Sequence, residues 1–484
     1  MTAAEAAVAA LGRRLRTVAP YLLGDARELP PTPGPLLALL AESVAADPAP
    51  DRLWLLGTAV AGGYPTRDEM DAVRRGLDLA APGAELAAVL AGVARTAAEQ
   101  RLDELDLEIV EGVVVDVEFC AKSPHNTGIQ RVVRTTMPHW RDRPGVVFVA
   151  WSDDLTGYRR LTPSQERMVL DWTSGAQPGS EPPAPVLVVP WRSPVVIPEV
   201  PAANLLPRQA VLARDSGNRV VLVGHDTIPI VSADSMVDEE SDRFAHYLEV
   251  VKHAAVVAAN SHTTAEEFRG FGEALGAQGL AGPRVVPVPL PVDLPPVPAG
   301  EPTPRERPLV LTVGSVEPRK NQRAVLGAAQ LLWNRGLDFE LLVIGGGHSW
   351  YLSRFDRDVR RLARAGRHVG VGRGVGDDVV AQAYRDARVV VFPSLQEGFG
   401  LPVAEALATG TPVVTTRYGA TAEIAAAGGC LLVDPRDDAD IAAAVERLLT
   451  DDALHAELVA QARSRVDATW PDYAEALWRE AVSA

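Results

Sequence analysis

Leu and Ala recur at spacings of three and four through the first hundred residues. Residues 36–46, 52–62, 68–79 and 84–107 carry the pattern, and PPTPGP, DPAPD, GGYPT and APG interrupt it. That spacing places the apolar side chains on one helical face, and the Pro and Gly clusters mark the turns between helices. Residues 8–23 read as an amphipathic helix with Arg13, Arg14 and Arg16, packing on the protein's own surface. No catalytic constellation occurs here, so residues 1–108 read as a helical accessory region, a small docking module.

From residue 109 the period shortens. IVEGVVVDVEF is β-branched and partly alternating, which predicts a strand. The runs at 146–151, 186–190, 219–224, 254–259 and 284–288 read as further strands, with helical stretches at 242–251 and 263–275. Alternating strands and helices predict a parallel sheet covered on both faces. The proline-dense residues 287–308 read as a semi-rigid linker. A second series follows, with strands in PLVLTVGS, DFELLVIGGG, RHVGVG, RVVVFPS, PVVTT and CLLVDP. Helices are expected from 321, at 352–365 and at 377–385.

The pattern predicts an α/β chain of two doubly wound, Rossmann-like domains, over 109–298 and 309–466. A C-terminal helix over 467–484, starting near Trp470-Pro471, is expected to pack back toward the first domain. Two such domains face each other across a cleft, and open parallel sheets bind ligands at the C-terminal ends of their strands.

Composition narrows this picture. A length of 484 residues suits about three domains. The net charge of −16 excludes a general nucleic-acid surface. Cys120 and Cys430 lie far apart without metal-ligand spacing, which suits a reducing cytoplasm. The N-terminus lacks a basic start followed by an apolar core, and no run approaches the ~20 apolar residues of a membrane span. A cytoplasmic protein is expected, with any peripheral contact at the inner membrane face or with a protein partner made through the N-terminal helices. Among 47 basic residues only Lys122, Lys252 and Lys320 are lysines. Where so arginine-rich a chain keeps a lysine, a need for a compact ammonium is to be suspected.

The candidate chemistry gathers at strand ends. Residues 397–412, EGFGLPVAEALATGTP, follow the apolar run 389–392. Pro402 fits the first helical position, and Gly410 the position just past the helix. Phe399, Gly400 and Leu401 would leave backbone N–H groups free at a helix start, a natural anion site. Glu397 stands at its mouth and Glu405 eight residues on. Residues 314–321, GSVEPRKN, offer Gly314 for close backbone approach, with Arg319 and Lys320 to neutralise a diphosphate. Residues 126–131, NTGIQR, hold the matching place in the first domain, where Gly128 admits a ligand at a helix start. His225, at the end of the strand RVVLVG, is placed to hydrogen-bond a substrate hydroxyl. The loop IGGGHSW reads as a close backbone turn, since it lacks dinucleotide spacing. The acids at 356–358 and 438–440 read as solvated helix faces, and no metal-ligand cluster is visible.

The second half resembles the retaining GT-B glycosyltransferases, specifically glycosyltransferase family 4. VGSVEPRKN, GVGDDVVAQAYRDARVVVFPS and EGFGLPVAEALATGTPVV carry the resemblance, the last with the family's E-x7-E signature. TGIQRVVR, GHDTIPI and ANSHTTAEEF carry it in the first half. The resemblance implies a metal-independent transferase without a cofactor, with a nucleotide diphosphate sugar as donor and a carbohydrate, lipid-linked or small-molecule acceptor. It implies that Glu397 stabilises positive charge on the donor sugar and that Glu405 binds the ribose. Phe399, Gly400 and Leu401 would contact phosphate and sugar, Arg319 and Lys320 would hold the diphosphate, and His225 would contact the sugar. Ser315 stands where many members have arginine, so Arg319 is expected to replace that cation. A mannose- or rhamnose-like hexose, in polysaccharide, glycolipid or secondary-metabolite assembly, is the expected cargo. A GT-B-type sugar-nucleotide epimerase and a catalytically silent sugar-nucleotide-binding scaffold remain as alternatives.

Overall fold

The structure, a computed structural model, describes residues 3–24, 28–79, 86, 88, 90, 92–93, 105–173, 175–291, 303, 305–347, 349–466 and 468–482. The Leu/Ala periodicity folds as four helices, Ala3–Leu23, Pro33–Ala46, Pro50–Ala61 and Arg67–Leu79. Proline in the first turn starts the second and third, where its missing N–H costs no helix bond. Gly62, at φ +69°, ends the third in the left-handed conformation. Most of 84–107 and most of the proline-rich linker lie outside the described residues.

These helices are not an appended module. Leu15, Val18, Leu36, Leu40, Leu53 and Trp54 bury into one continuous core with strand residues Val149, Leu187 and Val189. Tyr64 Oη donates to the Val188 carbonyl at 2.6 Å. Arg14 is buried, with Nε donating to the Ala59 carbonyl at 2.7 Å. Arg13 pairs with Asp106 and Arg16 donates to the Pro31 carbonyl. The docking-module expectation is therefore corrected. A sheet face needs an apolar cover, and these helices supply much of it.

The first sheet has nine described strands in the order β1-β5-β4-β3-β2-β6-β7-β8-β9. They are β1 (Asp106–Val110), β2 (Val113–Asp116), β3 (Val146–Trp151), β4 (Tyr158–Arg160), β5 (Val186–Pro190), β6 (Pro194–Ile197), β7 (Arg219–Gly224), β8 (Val256–Ala259) and β9 (Arg284–Pro287). Two expectations change. The single strand expected from residue 109 is two, with β1 at the edge against β5 and β2 central between β3 and β6. The break falls at Gly112, where a Cβ would lie 2.0 Å from the Gly145 carbonyl oxygen. The sheet is also mixed, because the three-residue β4 runs antiparallel to β3 and β5.

The second sheet has six described strands, all parallel, in the order β12-β11-β10-β13-β14-β15. They are β10 (Leu309–Val313), β11 (Glu340–Ile344), β12 (Val369–Gly372), β13 (Ala387–Phe392), β14 (Val413–Thr416) and β15 (Cys430–Val433). The order reverses between β10 and β13, and a crevice opens where loops diverge from such a switch point. The loops after β10 and β13 carry GSVEPRKN and EGFG. The last helix, Trp470–Val482, lies on the first half, where Trp140 Nε1 donates to the Ala474 carbonyl at 3.0 Å and Arg219 to that of Glu480 at 2.8 Å.

Candidate active site

The buried strand β13 ends at Pro393, and the chain turns through Ser394 into the EGFG loop. Gly400, at φ +111°, caps the helix Leu401–Ala408. Leu401 is the first helical residue, so Pro402 takes the second position, one later than expected. Gly410, at φ +79°, closes the helix: its N–H donates to Leu407 and that of Thr411 to Ala406, both at 2.9 Å.

The β10 loop is tied to this one by its backbone. Leu395 N–H donates to the Arg319 carbonyl at 2.7 Å, and Asn321 Nδ2 to the Pro393 carbonyl at 3.2 Å. This brings three expected residues into one cluster. Glu397 Oε2 lies 3.0 Å from Arg319 Nη1, and its Oε1 lies 3.1 Å from Lys320 Nζ. Ser394 Oγ donates to the same carboxylate at 2.8 Å. Burial acts to raise the Glu397 pKa, but Lys320 and Arg319 outweigh it and hold the carboxyl down to about 2. Arg319 also reaches Glu317 at 3.2 Å, yet its Nε is buried with no hydrogen-bond partner. Ser315 Oγ is spent on Glu317, so it offers no second contact of the kind an arginine would make.

The first half meets this cluster at glycines. A Cβ on Gly398 would lie 1.9 Å from the His225 carbonyl oxygen, so no larger residue fits there. Ser261 Oγ and Thr264 Oγ1 donate to the Gly398 carbonyl at 2.6 and 3.0 Å. Gly128 begins the helix Gly128–Thr136, and a Cβ there would meet Leu401 Cδ1 at 3.2 Å. The Phe399 ring is buried in the shared core, which leaves its backbone for any ligand.

His225 is buried, with Nε2 2.8 Å from the Pro198 carbonyl. A carbonyl only accepts, so Nε2 carries the hydrogen and Nδ1 is the lone-pair nitrogen. Burial lowers its pKa to about 4, so the ring is neutral near pH 7. Glu405, expected at a ribose, is instead engaged by two side chains. Arg131 Nη1 lies 2.6 Å away from across the cleft, and Tyr384 Oη donates at 2.8 Å.

The sequence alone assigns no site role to Arg131, Tyr384 or Asp226. Asp226 is raised to about 6 by burial, with Arg319 acting against the rise. Its signal was the His-Asp pair at a strand end, and that of Arg131 its place in TGIQR. Nothing local singles out Tyr384. Asp356 and Asp358 pair with Arg373 and Arg323 at the surface, as solvated faces do. Among the described residues, no group of three His, Cys, Asp or Glu side chains is placed to hold a metal ion.

The sequence and the fold have known counterparts. Residues 307–451 match the family described as glycosyl transferases group 1. Over 145 residues the chain is 37% identical to O-antigen chain mannosyltransferase B of Escherichia coli, covering 30% of this chain and 37% of that protein. Over 200 residues it is 38% identical to the phosphatidyl-myo-inositol mannosyltransferase of Mycolicibacterium smegmatis, covering 40% of this chain and 49% of that one. The chain thus spans half or less of the length of either relative. The apo structure of OtsA superposes with a TM-score of 0.52 at 12% identity, over 78% of this chain and 99% of the other. The two-sheet architecture is the GT-B fold.

Proposed function

We propose that this protein is a retaining, metal-independent glycosyltransferase that moves a hexose from a nucleotide diphosphate sugar to an acceptor hydroxyl. The observation that carries the reading is the buried Glu397–Arg319–Lys320 cluster at the switch point of the second sheet, with the unpartnered Arg319 Nε inside it. Two cations and an orphan donor beside a helix start are the chemistry a departing diphosphate requires.

On this reading the diphosphate binds against Arg319, Lys320 and the N–H groups at 399–401. The bond from the anomeric carbon to the diphosphate oxygen breaks, and positive charge grows on the sugar ring. Glu397, ionised throughout the neutral range, stabilises that charge. The acceptor oxygen bonds to the anomeric carbon on the face the diphosphate leaves, and its proton passes to the departing phosphate oxygen. The neutral His225 ring, held through Nε2 by the Pro198 carbonyl, would orient the sugar through Nδ1. Glu405 takes the ribose hydroxyls once Arg131 releases it. The two relatives act in mannosyl transfer by their names, so mannose leads the candidate sugars, with rhamnose behind it. No described helix is long and apolar enough to cross a membrane. We place the protein in the cytoplasm, where its donor is made, at the inner membrane face for a lipid-linked acceptor.

Purified protein incubated with a panel of nucleotide diphosphate hexoses tests the reading. Release of nucleoside diphosphate, with an axial or equatorial anomeric proton that matches the donor's, is expected. The rate is expected to persist in EDTA. Loss of rate restored by magnesium would remove the metal-free claim, and an inverted product would remove retention. A donor that binds without hydrolysis or transfer would make the protein a scaffold.

A further inference from the structure

The two residues that flank Glu397 are gripped from the first half of the chain. Gln396 Nε2 donates to Glu267 Oε1 at 2.8 Å, and Gln396 Oε1 accepts from Ser232 Oγ. On the other side, the Gly398 carbonyl accepts from Ser261 Oγ at 2.6 Å and from Thr264 Oγ1 at 3.0 Å. Both hydroxyls stand at the start of the helix His262–Gly276, where Ser261 is the N-cap. Ser261 Oγ also accepts from Thr264 N–H at 3.0 Å, so its single hydrogen is left for Gly398. Thr264 Oγ1 lies 3.4 Å from the His225 carbonyl, so its hydrogen goes to the nearer Gly398 oxygen. Ser261 and Thr264 are 1% and 0% exposed, so water does not compete for these bonds. The helix start is itself anchored to the second half. Glu423, on the helix Gly419–Ala425, accepts from His262 N–H at 2.9 Å and from Thr263 N–H at 2.6 Å.

That grip decides a direction. Every described peptide bond is trans, so the Gly398 carbonyl and the Phe399 N–H, which share one peptide plane, point opposite ways. Two hydroxyls and the positive end of a helix of 15 residues hold the carbonyl oxygen toward the first half. The Phe399 N–H is thereby turned away from them, and no described carbonyl accepts its hydrogen. Without those bonds the peptide would be poorly fixed. Gly398 carries no Cβ, so the 398–399 peptide can rotate where a larger residue would resist. A half-turn would put the carbonyl oxygen in the place of the N–H, an acceptor where an anion needs a donor.

We propose that Ser261 and Thr264 are positioning residues for the donor site: by holding the Gly398 carbonyl they orient the Phe399 N–H toward the diphosphate sugar, so contact between the two halves completes the anion site of the second. The donor's identity rests on the transfer reading above; the peptide's orientation rests on the hydrogen bonds alone. The sequence holds two Gly-Phe peptides, 270–271 and 398–399. Labelling glycine at its carbonyl carbon and phenylalanine at its nitrogen therefore gives the full chain two carbon–nitrogen correlations by NMR. Phe271 lies in the same helix as Thr264, so its signal reports whether that helix is intact. Thr264→Val keeps the shape and removes one hydroxyl. It should move the 398–399 signal, leave the 270–271 signal in place and shift the melting temperature by no more than about 2 °C. UDP, GDP, ADP and dTDP, titrated calorimetrically, identify the nucleotide. Its affinity should fall about tenfold in Thr264→Val, the loss of one donor to a charged group. Ser261→Ala, which also removes the cap, should weaken it as much and melt lower. Thr264→Ser, which keeps the hydroxyl, should restore both the signal and the affinity. The inference is overturned if none of these nucleotides binds, or if Thr264→Val or Ser261→Ala leaves the affinity unchanged. It is overturned equally if the 398–399 signal stays in Thr264→Val, if the 270–271 signal moves with it, or if Thr264→Ser restores neither. Donor turnover by the unmodified chain keeps the two claims apart. Turnover with an unmoved 398–399 signal in Thr264→Val sinks positioning and leaves transfer standing; a moved signal and weakened nucleotide without turnover of any donor does the reverse.

Discussion

Glu397 and Asp116 are both buried carboxylates placed at or just past a strand's C-terminal end, one on each sheet, and their pKa values move in opposite directions. Lys320 and Arg319 hold Glu397 down to about 2. Asp116 has three neutral donors on one oxygen and rises to about 6 through burial and the nearby Glu199. Burial penalises both charges alike, so the counter-ions account for the difference. The edge of the second sheet is supplied with positive charge and suits an anion. The edge of the first holds carboxylates in excess of its cations.

Removing one side of the Glu397 cluster should have the largest effect. Glu397→Gln leaves two buried cations without their carboxylate and should cost about 3–5 kcal/mol in urea unfolding. Added nucleoside diphosphate should recover more stability in this variant than in the unmodified chain. Equal recovery would mean that the diphosphate does not occupy the place of the carboxylate. Lys320→Ala should lower kcat by about 10²–10³-fold, the cost of one transition-state donor. Unchanged kinetics would remove Lys320 from the site.

The pH dependence separates the two edges more finely. Glu397 falls from an ordinary 4.5 to about 2, so its contribution is full above pH 4.5 and is lost as pH falls toward 2. The loss amounts to roughly 3 kcal/mol. Glu118 rises from 4.5 to about 7, so the native state keeps a proton the unfolded chain has released. Its contribution is therefore lost as pH rises through that window. Melting temperatures from pH 2 to 8 should show both limbs. Glu397→Gln should flatten the acid limb alone, and Glu118→Gln should reduce the neutral one, which the raised Asp116 and Asp226 share; a variant that flattens the other's limb would end the contrast. The smallest effect belongs to Arg131→Ala. Its pair with Glu405 is partly exposed and should be worth about 1 kcal/mol. Freed of that competitor, Glu405 should bind the donor roughly fivefold more tightly. Weaker binding would make Arg131 itself a donor contact.

Much of this was legible in the chain. The strands at 309–313, 340–344 and 387–392 announced themselves as apolar runs ended by glycine or proline, and the loops behind them carried the charges. Two strands escaped: β4 has only three residues, too few for a period, and a proline opens β6. The 109–119 run looked like one strand because its residues suit a strand on either side of Gly112. Nothing local shows that β1 belongs at the sheet's edge and β2 at its centre. The helices of the first eighty residues were readable as helices. That they roof the first sheet was not, since an apolar stripe does not name its partner.

By itself, the sequence determined the elements, the glycines that permit close approach, and the presence of two acids and two cations in loops at strand ends. Those features are local, set by side-chain period and backbone sterics over a few residues. The tertiary structure decided which charge each acid meets. Glu397 finds Lys320 from 77 positions away, and Glu405 finds Arg131 from 274 positions away. Electrostatic energy depends on distance in space and on burial, not on separation along the chain. Strand order in two sheets, and the closeness that Gly398 allows between them, set those distances.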